Sequence, residues 1–215
     1  MPSNRKINFV FMNFFLMSAV LLDRSFYARC PKIVARELLG KVIVSTIERR
    51  RSAGIVVETE AYLASADTAC HGFAGQTRKN SSMFGPCGHA YVYPIHARYC
   101  FNTVTETEGR PSAVLIRALE PLEGISTMRS RRAKMVNTEL CSGPAKLCQA
   151  LGIDQNTDGI DLTRRRKVWL LDEYCESEPF KVKTTVRIGV TSAHDMKLRY
   201  VVAGSCFASG PKRMR

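Results

Sequence analysis

At 215 residues, 45% apolar and 24% charged, the chain has the length and make-up of one globular domain with a substantial core. Its charge is unusual: 32 Lys and Arg against 19 Asp and Glu give +13, which favours a polyanionic partner, nucleic acid before an acidic membrane surface. The eight cysteines are scattered and form no C-x-x-C pair, which excludes a small disulfide scaffold and reads as reduced thiols of a cytosolic protein.

Residues 1–22 start basic and turn apolar, but Asn8 and Asn13 break the run and no small-residue cleavage site precedes Asp23. The stretch is also short and polar for a membrane span. Met17 opens a sensible domain start. The expectation is therefore that 1–16 is a non-functional upstream extension and 17–215 the functional domain. An intact mass of the native protein that included residues 1–16 would overturn this.

Asp23 is placed to cap a first helical turn, and 32–39 (KIVARELL) has helical spacing closed by Gly40. A strand at 41–46 (KVIVST), a basic turn at 48–54 and a returning strand at 55–62 (IVVETEAY) read as a hairpin. The returning strand begins as a β-branched run and becomes polar, as a buried strand does where it ends at a cleft. A period of two puts Glu58, Glu60 and Tyr62 on one face. Carboxylates there must be solvated, paired or hydrogen-bonded, and partial burial moves a carboxyl pKa towards the range of a general base. By spacing alone, an edge strand with two acids on its solvent face is the better reading.

Residues 64–90 form a polar segment too long to be a simple connection, carrying His71, Arg78, Lys79 and Asn80. Short strands at 91–93 and 99–103 flank a turn at Pro94, and 113–118 (AVLIRA) is a buried strand with one charge, Arg117. After a turn at 120–124 comes a basic segment, 125–134. Ser142-Gly143-Pro144 then opens a helix that Gly152 closes. Strands follow at 167–171, 186–190 and 200–202, and the chain ends in a basic tail. There are no repeats and no second domain. Many short strands on short connections with a few helices give an α+β class with a mostly antiparallel sheet.

The segments VETEAYL, MFGPCGHAYVY, YCFN, IRALEPLEG, ELCSGPAKLCQALGI and RIGV occur here in that order. Through them the chain resembles, from about Leu22 to Phe207, the alkyladenine (3-methyladenine) DNA glycosylases of bacterial type. The resemblance implies a single domain with a curved sheet surrounded by helices, like the C-terminal domain of formyltransferases. It implies hydrolysis of the N-glycosidic bond of alkylated or deaminated purines flipped out of double-stranded DNA, without metal or cofactor. By motif position Glu60 is the general base, and Arg117 with the backbone at Ile188 and Gly189 completes the water-holding set. Tyr62, His71 and Tyr93 line the base pocket, and Asn102 crowds the 2-amino group of guanine. One departure stands out: the stretch after Tyr93 is a residue shorter than the family pattern, and His96, in place of a tyrosine, falls at the position that plugs the emptied duplex, unless Ile95 or Arg98 is presented instead.

Several residues have plainer readings. Glu58 is assigned to structure, as a strand acid paired with Arg; Tyr91 to the core rather than the pocket; His194 to the surface. Cys70, His71, Cys87 and His89 lack zinc-site spacing. The expected protein is a monomer acting on nucleoid DNA in the cytoplasm, with no membrane partner. The competing classes are a damaged-DNA-binding protein without turnover, and a glycosidase of free nucleosides, which has little use for +13.

Overall fold

A computed structural model describes residues 19–173 and 180–211. The expected start at Met17 and the residues of the basic tail after Pro211 lie outside them. The organising element is strand β2 (Ser52–Tyr62), eleven residues long and buried along nearly its whole length. On one side it pairs antiparallel with β5 (Ser112–Glu123) from Ala53 to Tyr62. On its other side the first half, Ser52 to Ile55, pairs with β1 (Lys41–Ser45), and Glu58 to Glu60 pair with β8 (Arg199–Val202). β3 (Ala90–Ile95) and β4 (Arg98–Thr105) extend the sheet beyond β5. β6 (Val168–Glu173) flanks β1, and β7 (Val182–Thr185) flanks β8. All these pairings are antiparallel, and the curled sheet with its helices is the expected α+β architecture.

Three helical stretches follow the local signals. Asp23 accepts from the Phe26 amide and caps α1 (Arg24–Tyr27). Pro31 starts α2 (Pro31–Glu37), where its missing N–H costs nothing. Between β5 and β6 lie α3 (Ile125–Arg132), α4 (Asn137–Leu140) and α5 (Pro144–Leu151). The last begins at Pro144 and stops at Gly152, whose φ of 74° is the left-handed C-cap that glycine adopts without strain. The main core joins Val34, Leu38, Val56, Ile116, Leu119, Leu147 and Leu151 between sheet and helices. A smaller cluster of Cys70, Met83, Tyr91, Val104 and Ala113 lies under the long 64–89 segment.

Several boundaries differ from the sequence reading. The expected turn at 120–124 is strand, because β5 runs on to Glu123 against the first half of β2, with a register shift between Ala53 and Gly54 absorbing the irregularity. The expected turn at Pro94 sits at His96 and Ala97, where Ile95 pairs with Arg98. Both turn residues have positive φ, 45° and 59°, as a two-residue hairpin turn requires. Pro94 is tolerated inside β3 because β3 ends the strand order and needs no donor there. The basic segment at 125–134 is mostly helix. Finally, the expected strand at 186–190 is irregular backbone following β7, its Ile188 N–H turned to the Glu60 carboxylate.

Candidate active site

Bulges set the carboxylates of β2. The β2–β5 register shifts on either side of Glu58, which re-aims the strand where its sequence turns acidic. Glu58 and Glu60 are both wholly buried, so the solvent-face reading of this strand is overturned. β2 is central here, and its acids are satisfied by paired cations and donors instead of water.

The two carboxylates have different company. Glu58 accepts from Arg117 Nε (2.9 Å), Arg199 Nε (2.7 Å) and both the amide (2.6 Å) and hydroxyl (2.8 Å) of Ser209. Burial pushes its pKa up, but Arg117, Arg199 and the Ser209 amide together outweigh that and hold it below the usual carboxylate value. It is a fixed anion, as the structural reading of Glu58 expected. Glu60 has one cationic contact, Arg117 Nη1 at 3.2 Å, with the Ile188 amide at 2.8 Å and the Tyr62 hydroxyl at 3.0 Å. Two carboxylate oxygens with three donors leave acceptor capacity unspent. Arg117 thus bridges both acids; burial alone would lower its pKa, and Glu60 and Glu58 carry it above the ordinary value. Tyr62 stays a protonated donor, since burial and then the Glu60 charge drive its pKa far up.

In front of this cluster opens a cavity of about 300 Å3, at the small end for ligand sites. Tyr62, His71, Tyr91, Tyr93, Asn102 and Gly189 are among its lining residues. Three rings form one aromatic wall: His71 meets Tyr93 edge-on at 4.5 Å between centroids, and Tyr91 lies 5.5 Å from Tyr93. The Tyr91 hydroxyl and His71 Nδ1 are 2.8 Å apart. Tyr91 is therefore buried core and cavity wall at once, which corrects its assignment to the core alone. Asn102 donates from Nδ2 to the Tyr91 carbonyl (2.9 Å) and is thereby fixed at the cavity edge. The long segment is held by its own side chains: Asn80 bonds the carbonyls of His71 and Gly75 and accepts from the Thr77 amide and hydroxyl. That anchors His71 without regular structure.

Of the residues expected at the site, Tyr62, His71, Tyr93, Asn102 and Gly189 line the cavity, and Glu60, Arg117 and Ile188 form the polar cluster behind it. His96 is not among the lining residues; its neighbour Ile95 is, with 42% of its surface exposed. Arg98 is drawn aside to Gln149.

Four residues escaped the sequence reading. Arg187 and Asp67, both fully buried, form a two-bond ion pair at 2.6 and 2.7 Å. The Arg187 guanidinium also lies 4.6 Å from the Tyr62 ring centroid. One residue further on, the Ile188 amide reaches Glu60, so this pair aims the irregular 186–190 backbone. Arg199 and Ser209 complete the shell of Glu58. Only Arg187 carried a signal, through its place in RIGV.

A wholly buried carboxylate, held by an amide, a phenol and a guanidinium beside an aromatic slot, can orient and deprotonate water against a flat bound molecule. Comparison with known proteins points the same way. Residues 25–206 match the family described as Methylpurine-DNA glycosylase. A protein of Rhodopirellula baltica is 43% identical over 194 residues, 88% of this chain and 83% of that one. Proteins of Carboxydothermus hydrogenoformans (44% over 191 residues; 88% and 99%) and Methanoculleus marisnigri (43% over 190 residues; 87% and 98%) are as similar. All three carry the provisional name 3-methyladenine DNA glycosylase.

Proposed function

The chain belongs to the methylpurine-DNA glycosylase family, and from that premise we propose that it excises damaged purines from double-stranded DNA in base excision repair, by base flipping and water attack. The observation that carries the reading is Glu60: buried, anchored by the Ile188 amide, the Tyr62 hydroxyl and Arg117, and set against the aromatic cavity. Water loses a proton to Glu60 as its oxygen bonds to the sugar C1′. The glycosidic bond breaks, and its electron pair leaves with the purine. An N-alkylated purine is cationic before cleavage and departs neutral, so it needs least help from an acid.

The remaining groups fit that chemistry. The transition state at the sugar is cationic, and the carboxylate stabilises it while orienting water. Tyr62, His71 and Tyr93 present aromatic surface to an electron-poor base. Asn102 crowds the 2-amino group that distinguishes guanine. Extrusion costs a few kcal/mol and is cheapest for damaged or mispaired bases, which adds selectivity before any contact is made. The +13 charge serves the phosphate backbone.

Single-turnover assays on a labelled duplex containing an alkylated purine or hypoxanthine test the reading: base release leaving an abasic site is expected, and tight binding without release would refute turnover. For the plug in the emptied duplex, the geometry favours Ile95 over His96, since an exposed apolar side chain at the cavity rim is the kind that replaces a lost stacking partner. Ile95→Ala is expected to slow excision from duplex several-fold more than from single strand, and His96→Ala to show a smaller bias. The reverse ranking would restore His96 to that role.

A further inference from the structure

Behind the aromatic cavity, a buried cation covers one face of a slot wall. The Arg187 guanidinium lies 4.6 Å from the centroid of the Tyr62 ring, while its two Nη atoms donate to Asp67 at 2.7 and 2.6 Å. Burial alone would lower the Arg187 pKa, but the Asp67 hydrogen bonds and charge carry it above the ordinary value, so the group stays charged. The ion pair ties the 186–190 backbone to the 64–89 segment. A cation held against an aromatic face does something further: it changes what the ring's other face offers a ligand.

The slot walls are therefore unlike. Tyr62 lines the cavity and Arg187 does not, so the face that Arg187 covers is turned away from a bound base. His71 and Tyr93, the other rings of the slot, are neutral, since burial lowers the pKa of the first and raises that of the second. Among the described residues no cation lies over Tyr91 or Tyr93.

A base stacked on the open face of Tyr62, at an ordinary contact of about 3.5 Å, sits roughly 8 Å from the Arg187 charge. In a buried site that separation is little screened by salt. The ring's quadrupole already faces one cation, and a second on the opposite side meets the charge of the first. The Tyr62 hydroxyl, which donates to Glu60 at 3.0 Å, registers both influences: burial and the Glu60 charge raise its pKa, and Arg117 and Arg187 oppose them. Glu60 thus draws a cationic base into the slot, and Arg187 resists it from behind the wall.

We propose that Arg187, acting through the Tyr62 ring, sets the charge selectivity of the slot: it offsets the pull of Glu60 on cationic bases and lets neutral damaged purines compete with them. This rests on the glycosylase reading and adds to it a residue that selects by charge. Arg187 touches no substrate atom in this arrangement, so its effect falls on the ratio between ligands of equal shape.

That ratio is the test. Duplexes carry either 7-methyladenine, a fixed cation, or 7-methyl-7-deazaadenine, which has the same outline and no charge. Both lack the 2-amino group that Asn102 crowds, and both sit on a 2′-fluoro sugar that resists hydrolysis. Equilibrium binding of the full-length protein is measured against undamaged duplex. Wild type is expected to bind the two lesions within tenfold of each other. In Asp67→Leu/Arg187→Met, and in the polar neutral pair Asp67→Asn/Arg187→Gln should the first not fold, the ratio is expected to move several-fold towards the cation. Arg187→Lys, which keeps the charge, is expected to stay near the wild-type ratio. A general loss of positioning would weaken both lesions alike and leave the ratio unmoved. An unmoved ratio in a folded neutral pair overturns the proposal, as does a wild type that favours the cation tenfold or more. If wild type binds both lesions more tightly than undamaged duplex, the glycosylase reading survives that failure. A wild type that distinguishes neither lesion from undamaged duplex overturns both.

Discussion

Glu60→Gln lowers single-turnover excision by about 10²–10⁴-fold, the range that a positioned general base supplies. The substitution is nearly isosteric, and its amide oxygen can still accept from the Ile188 amide, which now lies 2.8 Å from Glu60 Oε1. Arg117 keeps Glu58 as a charged partner at 2.9 Å, so no buried cation is stranded. Duplex binding and thermal stability are therefore expected to stay near wild type while base release collapses. Glu58 could not take over. Its oxygens already accept from two arginines and from Ser209 twice, and those cations hold it as a weakly basic anion. A loss below tenfold, measured with enzyme in saturating excess, would remove Glu60 from the role of base and leave it an electrostatic bystander.

The division between what the residues announced and what they concealed follows sequence distance. β2 was legible because β-branched residues cluster before its acids, and α5 because Pro144 and Gly152 mark its ends within eight residues. The aromatic wall came through motif resemblance, not periodicity: nothing in the spacing of His71, Tyr91 and Tyr93 alone says that their rings meet. β5 was cut short at Pro121, a residue that usually ends a strand; only the partner strand reveals that the register shift accommodates it. The 186–190 stretch read as strand because Val, Ile and Val alternate, but its amide at Ile188 is spent on a carboxylate 128 residues away. Ser209 on Glu58 spans 151 residues and Arg187 on Asp67 spans 120. Such polar closures leave no local pattern, since each partner is an ordinary charged or hydroxyl residue in its own segment.

Asp67→Asn costs about 3–5 kcal/mol of stability, the usual penalty for removing one partner of a buried ion pair. Both side chains are wholly buried, and Arg187 would keep its charge with no anion beside it, only the neutral Asn oxygen, the Ala61 and Ala193 carbonyls and the Tyr62 ring. Against a total stability of 5–15 kcal/mol for a typical domain, that is severe but survivable. With an m value of roughly 2 kcal/mol per M, the urea midpoint falls by about 2 M. The same pair aims the backbone one residue before Ile188, so excision is expected to fall further than the unfolded fraction accounts for. The double variant Asp67→Leu/Arg187→Met separates the two effects. Replacing a buried pair by apolar residues of similar volume often restores stability. Among the described residues, no ion pair then ties the 186–190 backbone to the 64–89 segment, and the guanidinium over Tyr62 is gone. Recovered stability with excision still depressed identifies Arg187 and Asp67 as positioning residues for Glu60. Recovery of both would mean that the pair only holds the fold together.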